Sequence, residues 1–480
     1  MRIGTNVAAI VANNALQKSQ NNLSTSIERL SSGYKINGSK DDAAGCAISE
    51  KMRAQIRGLS QAQNNTADGV SVLNTAEGAI TEIQSMLTRL KELSVQAAND
   101  VNSDDEREAI QKEIEQINNE IDRISDQTEF NTQSLINGNL SRRVYSDLQG
   151  VNQLSVSDSY TAGVYGITVT EDARQAIAVG AGSITMSSTA SITEEQAGAI
   201  NINGYKISIS EGDTLDKVMG KIIDGVNITG GSAFTVKDLN NDTAANGTDY
   251  AGYVPTADYA GSTLVIMTNQ YGSDQKMNIT CDNAELADIL GIPQAATQDG
   301  IYVEGSDVKA EIATGDDGKR IGFADSAILS TKGTVITVTD VNNKEFSMDV
   351  PGNAAGTVFD DSNNDGQSAA GAGTARTISQ EVTDVGTMSI HVGANQDQVI
   401  VIDIPAITTY SLGTEHMNVM TQYTASRAIS TVDEAINKTN KIRSRIGAYE
   451  NRFDHTTNNL EVSSENLTKS LSTMIDTDMS

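Results

Sequence analysis

Five isoleucines, Ile110, Ile114, Ile117, Ile121 and Ile124, recur at alternating steps of four and three within residues 105–130 (DEREAIQKEIEQINNEIDRISDQTEF). Glu, Gln, Asn, Lys and Arg fill the other positions. This spacing predicts an α-helix with a heptad stripe along one side. Burying each isoleucine stabilises by roughly 1.5–3 kcal/mol. An amphipathic helix of this kind is unstable alone in water, so its cover must come from elsewhere in the chain or from other molecules.

The same periodicity marks both ends of the sequence. Residues 6–30 place Leu16, Leu23 and Leu30 seven apart, with Ile27 between the last two, but are rich in Asn, Gln and Ser. That stretch is expected to fray or stay disordered by itself. Ser31-Ser32-Gly33-Tyr34 and Asn37-Gly38 predict a break, and Asp41 and Asp42 are placed to cap a second helix running to about Asn99. Its apolar positions include Ile48, Met52, Ile56, Leu59, Val70, Leu73, Ile80, Ile83, Leu87, Leu90 and Leu93. A polar run at 99–104 permits a reversal into the isoleucine helix.

From about 144 to 382 the period becomes two, as in YKISIS (205–210), TLVIM (263–267) and TVITVT (334–339). Asn342-Asn343 between the last of these and residues 345–350 is a hairpin signature. One short helix, capped near Asp213, carries Leu215, Val218, Ile222 and Val226. After a strand pair at 388–392 and 398–404, helix returns from about Ala425. There Val432, Ile436, Ile442, Ile446, Tyr449, Phe453, Leu460, Leu467 and Leu471 step mostly by threes, fours and sevens. All four prolines lie between the helical flanks, as long helices require.

The predicted fold class is α+β. The N- and C-terminal segments form a long antiparallel helical bundle or coiled coil whose seam includes Ile436, Ile446, Phe453 and Leu460. A mainly β insertion is then an outer domain projected from the bundle's far end. The expected divisions are an N-terminal arm (1–40), the first half of the helical core with a β-hairpin (41–143), the insertion (144–384), the second half of the core (385–475), and the start of a further arm (476–480).

Composition narrows the function. A formal charge of −29 and a pI near 4.4 repel phosphate backbones and anionic lipid, which argues against nucleic acid and membrane partners. Cys46 and Cys281 read as isolated thiols, Cys46 as a small buried hydrophobe. The N-terminus has no secretory signal pattern, and no apolar run is long enough to span a bilayer. Trp is absent and 4% of residues are aromatic, so many small aliphatic contacts must dominate any interface. His391, His416 and His455 form no HExxH, and no P-loop or GxSxG occurs. Residues 361–366 (DSNNDG) copy half of a calcium loop, but position twelve is Ala372 rather than Glu; an acidic surface turn is the expectation. No cofactor, no metal and no enzyme activity are expected.

Five blocks carry a family resemblance. RLSSGYKINGSKDDAAGCAISEKMRAQIRGLSQA (29–62), NTAEGAITEIQSMLTRLKELSVQAAND (74–100) and EIDRISDQTEFNTQSLING (120–138) resemble, in order, the N-terminal part of bacterial flagellin. MSIHVGANQDQVIVIDI (388–404) and INKTNKIRSRIGAYENRFDHTTNNLEVSSENL (436–467) resemble its C-terminal part. AININGYKISISEGDTLDKVMGKI (199–222) is similar to the IN motif of flagellins and hook-associated proteins, placing an IN-like module at about 195–285.

The resemblance implies a secreted, extracellular subunit that leaves through the flagellar type III export machinery and polymerises with copies of itself. It implies a second partner, Toll-like receptor 5, read through residues 87–96 (LTRLKELSVQ) and the isoleucine helix. Arg89, Leu90, Leu93, Gln96 and Glu113 match the family's epitope, although Thr88 stands where Gln is common. From the helix pattern alone, Leu93 reads as a seam residue and Arg89 as a solvated charge. In the family another helix follows the DTDM motif (476–479). This chain stops at Ser480, so the expectation is that this arm, and the segment the export chaperone grips, are missing. A hook–filament junction protein or secreted adhesin is the alternative reading; either would share the terminal seams but not LTRLKELSVQ and NRFDHTTNNL together.

Overall fold

A computed structural model describes residues 7–157, 160–180, 182–236, 261–293, 300–315, 318–340, 344–352, 354, 359–360, 369–370, 375–383 and 385–477. The Asn342-Asn343 turn, the acidic turn at 361–366 with Ala372, Pro255 and Asp478-Met479 lie outside the described residues. The helices are α1 (Val7–Ser32), α2 (Ala43–Ala97), α3 (Asp104–Gln127), α4 (Leu215–Ile228), α5 (Ala284–Ile289), α6 (Thr409–Leu412) and α7 (Gln422–Ile475). Two compact units divide the chain. One joins Met1–Asn74, Met388–Ile402 and Arg445–Ser480; the other joins Thr75–Thr387 and Asp403–Ser444.

In the first unit, α1 stops where Gly33 adopts a φ of +75°, which costs glycine little. α1 is helical from Val7 to Ser32, yet none of its residues is buried. The loop after it is tied to the end of α7, with Lys35 N–H donating to Ile475 O at 2.6 Å and Thr477 N–H to Gly33 O at 2.9 Å. Asp42 Oδ1 accepts from the N–H groups of Ala44 and Gly45 at 3.0 Å each and so caps α2. Leu59 and Ala62 of α2 meet Leu460 of α7 in an apolar cluster. Two glycines allow close approach. A Cβ at Gly69 would stand 3.0 Å from the Phe453 ring, and one at Gly58 3.0 Å from Ala394 Cβ. The latter belongs to a hairpin, Met388–His391 with Val399–Ile402, whose His391 carbonyl accepts from Asn65 Nδ2 at 3.0 Å. Cys46 is only half-buried, which corrects the expectation of a buried thiol: Ile48 nearby is exposed too, so the first turns of α2 have little cover.

In the second unit, α2 buries Ala76, Ile80, Ile83, Leu87, Leu90, Ser94 and Ala97, an unbroken alternation of four and three. Facing it, α7 buries Ala425, Ala428, Val432, Ala435 and Thr439 in the same rhythm. The polar members satisfy themselves on their own helices: Ser94 Oγ donates to Leu90 O at 2.7 Å and Thr439 Oγ1 to Ala435 O at 2.9 Å. Polar pairs flank the seam. Arg443 reaches Glu77 at 2.6 Å, Gln84 donates to Asn440 at 3.0 Å, and Lys91 reaches Asp433 at 2.6 Å. Glu77, Gln84 and Lys91 are seven apart, and their partners descend as they rise. The helices are therefore antiparallel, with the flanking polar positions of a heptad.

Ile436 is half-buried, a correction to the predicted seam: the line runs through Ala435 and Thr439 instead, where small side chains let the helices approach. A similar correction applies to α3. It buries Arg107, Ile110, Ile114, Asn118, Ile121 and Ser125, whereas Ile117 and Ile124 are half-buried. Arg107 to Asn118, Ile110 to Ile121 and Ile114 to Ser125 are each eleven apart, which is the repeat of a nearly straight helix rather than of a heptad seam. The cause is the partner. Residues 409–419, the short α6 and the irregular stretch after it, lie on α3 and present backbone groups that need polar side chains. Asn118 Nδ2 donates to Thr414 O at 2.8 Å, Asp122 accepts from Thr409 N–H at 2.8 Å, and Gln111 accepts from Val419 N–H at 3.0 Å.

The insertion has two cores, one nested inside the other in sequence. The first lies between two four-stranded antiparallel sheets and contains Val156, Ile167, Ile336, Phe346 and Ile378. One of these sheets includes the hairpin Val335–Thr339 with Glu345–Asp349, as its alternation predicted. The chain leaves this core after Ala173 and returns by Val308. Between them a second core gathers Ile200, Ile207, Val218, Ile222 and Ile279 around α4 and the sheet of Tyr205–Ile209, Gly198–Ile202, Lys276–Cys281 and Ile301–Glu304. This is the IN-like region. Thr214 Oγ1 caps α4 at 3.4 Å, one residue after the Asp213 named from sequence. Asp213 instead accepts from Ser210 N–H and pairs with Lys217 and Lys221. The insertion is in contact with the helical core. It leans on α7 through Arg427 with Gln275 at 3.1 Å, Lys332 with Glu434, and Lys441 with Glu345 at 3.0 Å.

Candidate functional site

Two surfaces follow from this arrangement. The first is α1. Its Val7, Val11, Leu16, Leu23, Ile27 and Leu30 are 57–65% exposed. An apolar stripe left in water forgoes roughly 1.5–3 kcal/mol for each large side chain, so the helix is suited to cover that the described residues do not provide.

The second surface lies where α2 passes α3. A capping box opens α3: Ser103 N–H donates to Glu106 Oε2 at 2.8 Å and Glu106 N–H to Ser103 Oγ at 3.3 Å. The donated bonds hold the Glu106 carboxyl below its ordinary pKa. Arg107, on the next residue, is buried and donates to Ala97 O and Asn99 O at 3.2 Å each. A cation thus meets the C-terminal carbonyls of α2, where the helix dipole favours it. This tie fixes how α3 returns beside α2 and brings Glu113 against Arg89.

Arg89 donates through Nε and Nη2 to Glu113 Oε1 at 3.0 and 2.8 Å and through Nη1 to Glu92 at 3.2 Å. The bonds to Glu113, then to Glu92, raise the guanidinium pKa further above its usual value. About half of each of the Arg89 and Glu113 side chains remains in solvent (50% and 45%), and Gln96 is exposed as well. Leu90 and Leu93 are not. They are 0% and 1% exposed and belong to the interior of the helical core, where Leu93 takes the seam position that the helix pattern alone gives it. The exposed apolar neighbour is Val95.

The predicted seam residues sort by unit. Phe453, Leu460 and Ile446 are buried in the first, and Ile110, Ile114 and Ile121 in the second, with Ile117, Ile124 and Ile436 at the margins. Sequence reasoning missed Arg107, Asn118, Asp122 and Ser125 because polar residues on an isoleucine-rich helix read as its wet side. Only Ser125 carries a local signal, its eleven-residue step from Ile114; the others carry none. Among the described residues no group of three or more His, Cys, Asp or Glu could hold a metal. No described helix is long and apolar enough to cross a membrane.

A paired helical core interrupted by a β insertion, with an uncovered terminal helix, defines a subunit made for assembly. Comparison with known proteins gives the family. Residues 3–141 match the bacterial flagellin N-terminal helical region and residues 429–480 the bacterial flagellin C-terminal helical region. A flagellin from Salmonella typhimurium is 30% identical over 501 residues, covering 99% of this chain and 92% of the relative. A flagellin from Clostridium tyrobutyricum is 39% identical over 239 residues, covering 44% of this chain and 63% of the relative. The solved structure of FliC from Burkholderia pseudomallei aligns with 80% of this chain and 99% of its own at 14% identity, with a TM-score of 0.23. The chain belongs to the bacterial flagellin family, a structural family and not an enzyme class.

Proposed function

We propose that this protein is a self-assembling subunit of the extracellular flagellar filament, serving motility, and that its free form is a ligand of Toll-like receptor 5. The observation that carries assembly is α1, a 26-residue helix with large apolar side chains and nothing buried. Sister chains offering the same stripe supply the cover, and head-to-tail contacts of this kind propagate into helical filaments. Each contact is modest; many per subunit add up. Family membership supports delivery through the flagellar export machinery.

Recognition by the receptor rests on the exposed Arg89–Glu113 pair within LTRLKELSVQ, flanked by Glu92 and Gln96. The same surface is available for packing in a filament, so the receptor reads the depolymerised subunit. Full receptor activation by intact filaments contradicts that part.

Assembly is tested by adding purified protein to short flagellin seeds and following elongation by electron microscopy. The wild type extends seeds, and Leu23→Glu combined with Ile27→Glu abolishes extension without lowering the melting temperature of the folded core. Equal extension by both overturns the reading.

A further inference from the structure

The IN-like module meets the stem across a cleft of about 340 Å3, in the range of small-ligand sites, and a second cavity of about 360 Å3 shares Asn203 and Lys276 with it. One wall is a row across the end of a sheet. Tyr302 pairs with Asn278 in register, Asn278 N–H donates to Asn203 Oδ1 at 2.8 Å, and Tyr205 stands opposite Ile202 on the neighbouring strand. Asn203 turns the corner with a φ of +51°, a conformation Asn tolerates better than most residues. The opposite wall is the first turn of α7, with Tyr423, the turn between α2 and α3, with Asp100, and the first turn of α3, with Arg107.

Three tyrosines therefore face one cleft. Tyr302 is 52% exposed, and its hydroxyl donates to Glu304 at 2.6 Å. Tyr205 and Tyr423 are half-buried, and among the described residues neither hydroxyl has a hydrogen-bond partner. Half-buried rings with unspent hydroxyls, beside side-chain amides, offer apolar faces and polar edges together. A pyranose ring presents the same alternation of C–H faces and hydroxyl edges.

The cations of the cleft are already matched. Lys276 pairs with Glu304 at 2.7 Å while lying over the Tyr302 ring, and Arg107 spends its guanidinium on backbone carbonyls with Asp100 and Asp104 beside it. A phosphate or sialylated ligand would find no free positive charge there. A peptide would find no deep apolar pocket for an anchoring side chain.

We propose that this cleft binds a neutral pyranose oligosaccharide, which gives the insertion a recognition role beyond filament building. The site uses residues of the IN-like module and of the stem together, so it exists only while the two are docked.

The test uses the full chain on a surface printed with neutral oligosaccharides of glucose, galactose and N-acetylglucosamine, their sialylated counterparts, and unrelated peptides. At least one neutral glycan is retained, and Tyr302→Ala and Tyr423→Phe each weaken retention about tenfold or more. Tyr302 is exposed on an edge strand, so its replacement leaves the fold intact, as a circular dichroism melt will show. Retention of no neutral glycan, retention of only sialylated glycans or peptides, or binding undiminished by both substitutions overturns the proposal. Seed elongation is a separate readout, so failure of the glycan site is distinguishable from failure of assembly.

Discussion

Glu77 and Arg443 stand 366 positions apart in the chain, yet two guanidinium nitrogens of Arg443 donate to one carboxylate oxygen of Glu77, at 2.9 and 2.6 Å. The pair fixes both the direction and the register of α2 against α7. Both side chains keep about a third of their surface in water, so solvent screens the attraction. A double-mutant cycle with Glu77→Ala and Arg443→Ala is expected to give a coupling of about 0.5–1 kcal/mol, measured by urea unfolding. Exchanging the two residues recovers most of it, because the geometry depends on the seam and not on which helix carries which sign.

The drift of the isoleucine stripe predicts unequal costs along it. Ile114 is fully buried, so Ile114→Ala should cost about 2–5 kcal/mol. Ile117 is half-buried, and Ile117→Ala should cost about 1 kcal/mol, since only part of its apolar area is withdrawn from water. Urea unfolding of both variants checks the order. Equal losses would restore the simple heptad reading.

Asp213 gives the IN-like module an acid sensitivity. Hydrogen bonds from Lys217, then Lys221, then Ser210 N–H hold its carboxyl well below the usual carboxylate range. A group with a depressed folded pKa stabilises the fold above its unfolded value, near 3.9, and loses that contribution as pH falls toward the folded one. Asp213→Asn is therefore expected to destabilise by about 2 kcal/mol at neutral pH. The difference from wild type should shrink as pH drops below about 4. Thermal melts of both proteins across that window measure it.

Arg89 and Leu93 separate recognition from folding. Arg89→Ala removes an exposed group and should lower activation of the proposed receptor by free subunits about tenfold, with little change in melting temperature. Leu93→Ala hollows the interior and should cost about 2–5 kcal/mol of stability. Reporter-cell titration alongside thermal melting distinguishes them. A loss of activation by Arg89→Ala that tracks a loss of fold would remove the recognition role.

How much of this could be read from the sequence depends on what each residue packs against. Helix meeting helix is legible: Leu87, Leu90, Val432, Ile446 and Phe453 follow periodicities that the chain states locally. The Asp42 cap is legible for the same reason, since its partners lie within a turn. Asn118 and Asp122 are not, because their role is to satisfy backbone groups of a segment some 290 residues later. Gly69 hides its purpose too, which is to admit the Phe453 ring. The strands of the insertion announce themselves, but their nesting does not: the pairing of Gly163–Glu171 with Arg376–Val382 closes around a whole second core.

The central claim is that α2 and α7 run side by side in opposite directions, in the register set by Gln84 and Asn440, whose side chains meet at 3.0 Å. The most direct measurement is oxidative cross-linking in a Cys46→Ser, Cys281→Ser background, comparing Gln84→Cys paired with Asn440→Cys against Gln84→Cys paired with Asp433→Cys, one heptad away. Rapid intramolecular cross-linking of the first pair and little of the second is the predicted result. Equal yields, or none from the first pair, would contradict it.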